Sequence, residues 1–321
     1  MTAGTRKIDV TVAEVVEVND LVKRFRFIRS DGGEMPTFSG GAHTVVEMRD
    51  GDTTRLNPYS LMSDPRDRSS LMISVRRDDV GRGGSLFLHR HVKAGDKMRL
   101  SYPVNLFSLD LRARKHLMIA GGIGITPFLA QIAQVSAMHG QFELHYSVRS
   151  AALGSYADTL GQQYPYNVHI YHGDQGQAIN LEGLLAGQPL GTHLYVCGPK
   201  GMIAWVLKTA TTLGWPGAAV HSEEFLVPQS GQPFTVTIAR TGKTIHVGEQ
   251  QSLLEAIEGA GVDAPYLCRG GACGQCETEV VSYDGQFIHR DHWLTDDQKV
   301  CGNKIMPCVS RFEGRSLVID R

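Results

Sequence analysis

Cysteine is missing from the first 196 residues of this 321-residue chain. Of its six cysteines, Cys197 stands alone and the other five fall between positions 268 and 308. Disulfide frameworks belong to short secreted chains, whose small cores need covalent support. This chain is long, and its polar start, Met1–Asp9 with Arg6 and Lys7, is not followed by the apolar segment of a secretory leader. The expectation is a cytoplasmic protein whose crowded cysteines ligate metal. Also lacking is any run of about 18 apolar residues, so no membrane-spanning helix is expected. Net charge is only −1, which removes the electrostatic case for nucleic acid. The charge is uneven, however: residues 1–112 carry 18 basic and 15 acidic groups, 113–227 carry 5 and 6, and 228–321 carry 9 and 12. Random surface variation would produce such a gradient. So would modules of opposite sign that dock on one another, or an acidic end that meets a basic partner.

Without repeats or low-complexity tracts, the chain divides by texture. Residues 1–112 read as all-β, with "IDVTVAEVVEV", "RFRFIRS", "HTVVEM" and "LMISVRR" alternating apolar and polar residues between turns. A small antiparallel barrel or sandwich is expected. Residues 113–226 change to α/β. The short apolar runs "HLMIA", "FELHYSV", "NVHIYH" and "HLYVCG" are separated by helical stretches, which predicts a parallel sheet. Residues 227–234, rich in proline, glycine and polar residues, read as a linker. Residues 235–321 begin with a hairpin-like pair and a helix, "SLLEAIEGAG", then carry the cysteines and return to β-like sequence. An α+β unit is expected there.

The strongest signal is "CRGGACGQC", Cys268, Cys273 and Cys276, with Cys308 thirty-two residues later. This is the C-x4-C-x2-C…C spacing of plant-type [2Fe–2S] proteins. Each iron needs two thiolates, and Gly270, Gly271 and Gly274 let one tight loop supply three of the four. Backbone N–H groups of such a loop would stabilise the charge added on reduction. A four-cysteine zinc site is the competing reading, although zinc sites favour two short knuckles. Cys301 is then spare, and His289 and His292 nearby are either polar surface or part of a second metal site.

"HLMIAGGIGITPFLAQI" reads as strand, glycine turn and helix. Gly121, Gly122 and Gly124 form the turn, Thr126 is placed as N-cap and Pro127 at the first helical position. N–H groups at such a start can hold a pyrophosphate; a merely structural strand–helix turn is the alternative, because Pro127 replaces the last glycine of the dinucleotide fingerprint. "HLYVCGPKGMI" repeats the pattern, putting Cys197, Gly198 and Pro199 at the same carboxyl edge, where parallel sheets bind ligands. Ser147 and Arg149 end a third strand where a ribose or phosphate could rest.

Taken together, these motifs resemble the phthalate dioxygenase reductase family over nearly the whole chain. The resemblance implies a flavin-binding antiparallel β-barrel, an NAD-binding α/β domain and a β-grasp ferredoxin domain, in that order. "PYSLMS" is similar to the family's R-x-Y-S motif, implying that Tyr59 lies by the flavin ring and Ser60 reaches its N5. "RRDDVGRGGSLFL" resembles the phosphate loop, with Gly83, Gly84 and Ser85 as donors and Arg76 and Arg82 as added charge. Asn57 stands where the family has arginine. Arg55, two residues earlier and therefore on the same strand face, is one substitute; the alternative is that the phosphate relies on the glycine loop alone. In "HSEEF", Phe225 would cover the flavin ring. The resemblance further implies FMN, a preference for NADH, a [2Fe–2S] cluster and a Rieske-type oxygenase as electron acceptor, with exit near Arg269 and Ala272. A reductase for another acceptor and an iron–sulfur redox sensor are the alternatives.

Overall fold

The computed structural model describes residues 7–51, 53–226 and 228–321. Arg6, in the polar N-terminal stretch, and Val227, the first residue of the expected linker, lie outside the described residues. Three sheets succeed one another.

The first is antiparallel. It comprises β1 (Lys7–Asn19), β2 (Val22–Arg29), β3 (Ala42–Asp50), β4 (Thr53–Ser60), β5 (Leu71–Arg76), the helix α1 (Gly84–His91), β6 (Lys97–Ser101) and β7 (Val104–Asn105). Strand order is β4-β3-β6-β1-β2-β5, with β7 against β3. Alternation decides the faces: Ile8, Val10 and Val12 of β1 enter the core with Phe25 and Phe27 of β2, while Asp9 points out. Just past β4, the Met62 N–H donates to the Met72 carbonyl of β5 at 2.9 Å, tying the two outer strands together.

The second sheet is parallel, in the order β10-β9-β8-β11-β12. Its elements are β8 (Lys115–Gly121), α2 (Thr126–Ala137), β9 (Gln141–Val148), α3 (Ala157–Gln163), β10 (Val168–His172), α4 (Leu181–Ala186), β11 (Thr192–Cys197), α5 (Lys200–Thr212) and β12 (Val220–Glu223). Both faces are buried, one around Met118, Phe128 and Tyr146, the other around Leu117, Ile119 and Val206. Two-sided burial is why these strands read as continuous apolar runs.

The third sheet is mixed, ordered β14-β13-β17-β15-β16. It holds β13 (Phe234–Ile238), β14 (Lys243–Val247), α6 (Leu253–Gly259), β15 (Thr278–Ile288), α7 (Asp296–Cys301), β16 (Lys304–Ile305) and β17 (Arg311–Ile319). β13 pairs parallel with β17 and antiparallel with β14, a β-grasp around α6. Ser252 starts α6 with a reciprocal cap: its hydroxyl accepts from the Glu255 N–H while the Glu255 carboxylate accepts from the Ser252 N–H. Leu253, Leu254 and Ile257 of α6 share one core with Cys276 and Cys308.

Candidate redox site

The three sheets meet at a cavity of about 570 Å³. The first contributes His43, Tyr59 and Ser60, the second Glu223 and Phe225, and the cysteine loop Cys268, Gly270 and Ala272. Ser60 ends β4, buried, with Oγ 3.5 Å from the Glu223 carboxylate at the end of β12. Burial pushes the Glu223 carboxyl up to about 8, so this carboxyl is uncharged at neutral pH. Cys197, at the end of neighbouring β11, is fully buried, and its thiol is raised by burial and then by Glu223. His43, paired with Ser60 across β3 and β4, is pushed down to about 4 by burial, and its Nε2 has no partner. An unpaired buried nitrogen in a cavity wall fits a polar ligand edge.

At one end, β4 presents Arg55, Asn57 and Tyr59 on one face toward the turn before α1. Gly83 has φ +88° there, and α1 starts without a side-chain cap, leaving its N–H groups to a ligand. A Cβ on Gly84 would come within 2.3 Å of Asn57 Nδ2, and one on Gly83 within 3.5 Å of Arg55 Nη2. Arg55 Nε donates to the Arg82 carbonyl at 2.7 Å, and Tyr59, next to Asn57, is pushed up to about 12 by burial. Arg55 thus lies beside this turn, its Nη1 also paired with Asp50 at 3.3 Å. These donors fit a phosphate and an aromatic ring system.

Three expectations are corrected here. Arg82 offers no charge to this turn, because both of its terminal nitrogens bind the Glu255 carboxylate at 2.9 Å, with side chains only 6% and 10% exposed. Ser85 Oγ is occupied by the Asp78 backbone, accepting from its N–H at 3.0 Å. Arg76 lines the neighbouring cleft instead.

That cleft, also about 570 Å³, runs along the carboxyl edge of the parallel sheet. Gly121, Gly122, Gly124, Ser147, Arg149, Gly198 and Pro199 line it, and Phe225, 42% exposed, borders both cavities. The glycines are required by close approach: a Cβ on Gly124 would lie 2.3 Å from the Cys197 carbonyl oxygen, and one on Gly121 2.7 Å from Pro199 Cδ. Thr126, Pro127 and Cys197 do not line the cleft. Thr126 is not an N-cap but the first residue of α2, its hydroxyl donating back to the Ile123 carbonyl at 3.0 Å after a 3-10 turn over Gly122–Ile125.

The cysteine loop forms two thiol pairs. Cys268 is hydrogen-bonded to Cys273, and Cys276 to Cys308. A pair per iron is the requirement of a two-iron cluster. A mononuclear site would gather all four sulfurs. Among the described residues the only trio of ligand atoms close enough for one ion is Glu143, His145 and His169. The Gly270, Ala272 and Cys273 N–H groups point at Cys268, and that of Gly271 at Cys308. The Cys273 contact and these donors pull the Cys268 thiol below its ordinary range. Gly271 and Gly274 take φ of +72° and +75°. Cys301 is exposed on α7 and takes no part. His292 turns to Glu224 at 2.9 Å and His289 toward Asp291, so the two do not form a second centre. Arg269, expected near the exit, is 3% exposed, paired with Glu258 and stacked on the Tyr266 ring at 3.8 Å.

Sequence reading missed Glu223 and His43. Glu223 lay inside the quoted "HSEEF", but only its pairing with Ser60, 163 positions away, marks it.

Residues 236–313 match the family described as "2Fe-2S iron-sulfur cluster binding domain", and residues 98–220 match "Dimethylamine monooxygenase subunit DmmA-like, N-terminal domain". The chain is 42% identical to the heme-dependent oxidative N-demethylase beta subunit of Ectopseudomonas mendocina over 313 residues, covering 98% of each. It is 40% identical to the carnitine monooxygenase reductase subunit of Escherichia coli, covering 97% of this chain and 98% of that protein. A solved phthalate dioxygenase reductase, described as modular for electron transfer from pyridine nucleotides to [2Fe–2S], superposes with a TM-score of 0.89 at 32% identity, covering 98% of each chain. The three-sheet order, the paired cysteines and these likenesses together make the chain a member of the phthalate dioxygenase reductase family, NADH-dependent flavin and iron–sulfur oxidoreductases.

Proposed function

We propose that this chain is the reductase component of a Rieske-type oxygenase, carrying electrons from NADH through FMN and a [2Fe–2S] cluster to that partner. One observation carries the reading: a single cavity is walled by Ser60 and Tyr59, by Phe225 and Glu223, and by the cluster loop at Cys268, Gly270 and Ala272. When bound, the flavin supplies two-electron acceptance with one-electron release, and the cluster supplies a one-electron outlet.

The chain's own residues do the rest. Arg55, Asn57 and the free N–H groups at the start of α1 hold the phosphate. Tyr59 would lie against the bound ring, with the Ser60 hydroxyl available to its N5. Glu223, uncharged below about pH 8, orients that hydroxyl without setting a fixed negative charge beside the hydride's path. The glycine turns at 121–124 and 198–199 seat the pyrophosphate of NADH, with Ser147 and Arg149 toward its adenosine end. Phe225, which borders both cavities, would cover the flavin ring. Cys268, Cys273, Cys276 and Cys308 hold the cluster. We further propose three modules, 1–112 for flavin, 113–226 for NADH and 235–321 for the cluster, joined by the 227–234 linker, in the cytoplasm. No helix among the described residues is long and apolar enough to cross a membrane.

The likeness to the heme-dependent N-demethylase subunit favours one second reading, a haem oxygenase as acceptor. Reconstituting NADH-driven turnover separately with a Rieske oxygenase and with a haem N-demethylase tests both. Turnover with neither would refute the reductase reading.

A further inference from the structure

The cysteine loop has one side committed to receiving electrons. Cys268, Gly270 and Ala272 open on the same cavity as Tyr59, Ser60 and Phe225. A docked partner cannot reach the cluster through that cavity while the flavin fills it. Ala272 therefore belongs to the entry side, and Arg269 is buried.

A second side is differently built. Gly274, between ligands Cys273 and Cys276, has φ +75°, and a Cβ there would lie 2.2 Å from Cε2 of Trp293. The indole thus rests directly on the loop backbone. It lies outside the flavin cavity and is 48% exposed. Its Nε1 donates to Glu277 at 2.8 Å, and Glu277 in turn pairs with Lys304 at 2.6 Å. Tryptophan is a large apolar group that folding usually hides. Here it is held at its polar edge and on one face while the remainder stays in water. Holding it this way removes in advance the side-chain freedom a contact would otherwise cost, and tryptophan is a favoured interface anchor. Gln275, Glu279, Asp296 and Asp297 are exposed on the segments around it. Asp296 and Asp297 follow the indole by three and four residues and are exposed, while Arg269 and Arg311 of the same acidic module are buried.

We infer that Trp293, seated on Gly274 and followed by the exposed Asp296 and Asp297 in a net-acidic module, is the face through which the cluster module docks the oxygenase component, a partner offering lysines and arginines around a shallow apolar socket. The inference rests on the proposed function. In each encounter one electron crosses this face, the protein's reduced centre is oxidised and the partner's iron centre is reduced. No bond forms or breaks, no proton moves, and two encounters discharge one NADH. Such contacts are small and charge-steered, so they weaken with salt.

The test uses the full chain loaded with flavin and cluster, and three purified oxygenase components: those of carnitine monooxygenase, vanillate demethylase and the heme-dependent N-demethylase. Binding is read by calorimetry and turnover by NADH-driven product formation. For whichever component the wild-type protein drives, Trp293→Ala is expected to raise Kd and KM about tenfold, Trp293→Phe to restore most of the loss, and Asp296→Asn with Asp297→Asn to flatten the salt dependence. NADH–ferricyanide turnover and the cluster's paramagnetic spectrum should stay as in wild type, which excludes misfolding. An unchanged Kd in Trp293→Ala with a component that wild type drives overturns the docking face and leaves the function standing. Failure of wild type to drive any component overturns the function and the docking face with it.

Discussion

Two of the glycine turns proposed for cofactors, the cluster loop and the turn before α1, differ in construction. The cluster loop carries three of the four cysteines at a fixed spacing, with Cys308 thirty-two residues on, so its reading in sequence is direct. The turn at Gly83 and Gly84 uses backbone N–H groups and whichever cation lies within reach. Which cation lies within reach is set by the fold: Arg55, two residues before Asn57, reaches the turn, while Arg82, adjacent to it in sequence, is paired with Glu255 of α6. Covalent ligation leaves a pattern, whereas electrostatic binding leaves a neighbourhood that only the fold reveals.

The largest effect expected from this contrast is at the cluster loop. Cys273→Ser should abolish the cluster's absorbance and EPR signal and cut oxygenase-coupled turnover by about a hundredfold or more, while bound flavin and NADH–ferricyanide turnover persist. Retention of a two-iron signal in that variant would undo the assignment. Next comes the cavity wall. Ser60→Ala should slow flavin reduction by about a hundredfold, the loss usual for one placed hydrogen-bond donor, with flavin content unchanged.

Glu223 adds a pH signature. Its carboxyl is raised from the ordinary range to about 8, so the folded state holds a proton that the unfolded state releases near pH 4.5. Folding therefore carries no penalty from this group below pH 4.5, a growing one as pH rises toward 8, and a constant one above. Thermal unfolding of the flavin-free protein should show stability falling across that window, and Glu223→Gln should flatten the fall. An identical profile in the variant would mean the group is ionised at neutral pH.

The interdomain pair should have a smaller effect on chemistry and a sizeable one on stability. Arg82→Ala leaves Glu255 buried and alone, costing about 3 kcal/mol, and should slow cluster reduction after flavin reduction without touching the hydride step. Denaturant unfolding and anaerobic stopped-flow check the two halves. At the far end, Arg55→Ala should weaken FMN binding about tenfold, the scale of one charge-assisted contact. Arg76→Ala should change it less than threefold, since Arg76 faces the other cleft. Equal losses in the two would remove the distinction drawn between them.

Much of the fold was legible because each module's pattern is local. Alternation marks β1 and β2, apolar runs mark the doubly covered β8 and β11, and capping chemistry marks α6. The glycines at 121, 124, 271 and 274 were legible for the same reason, since each answers a local demand for space or positive φ. What escaped lies between modules. Glu223 acquires meaning only when β12 ends against β4, and Trp293 only when Gly274 of the cysteine loop packs beneath it. Thr126 was misplaced by one residue because a 3-10 turn, invisible to helix periodicity, precedes α2.

Mixing the anaerobic holoprotein with one equivalent of NADH, and following flavin absorbance and cluster reduction together, tests the order of transfer most directly. In wild type, flavin reduction should precede cluster reduction, and in Ser60→Ala both should slow by the same factor. A cluster that reduces at the wild-type rate while flavin reduction is slowed would show that electrons reach it without passing through the flavin.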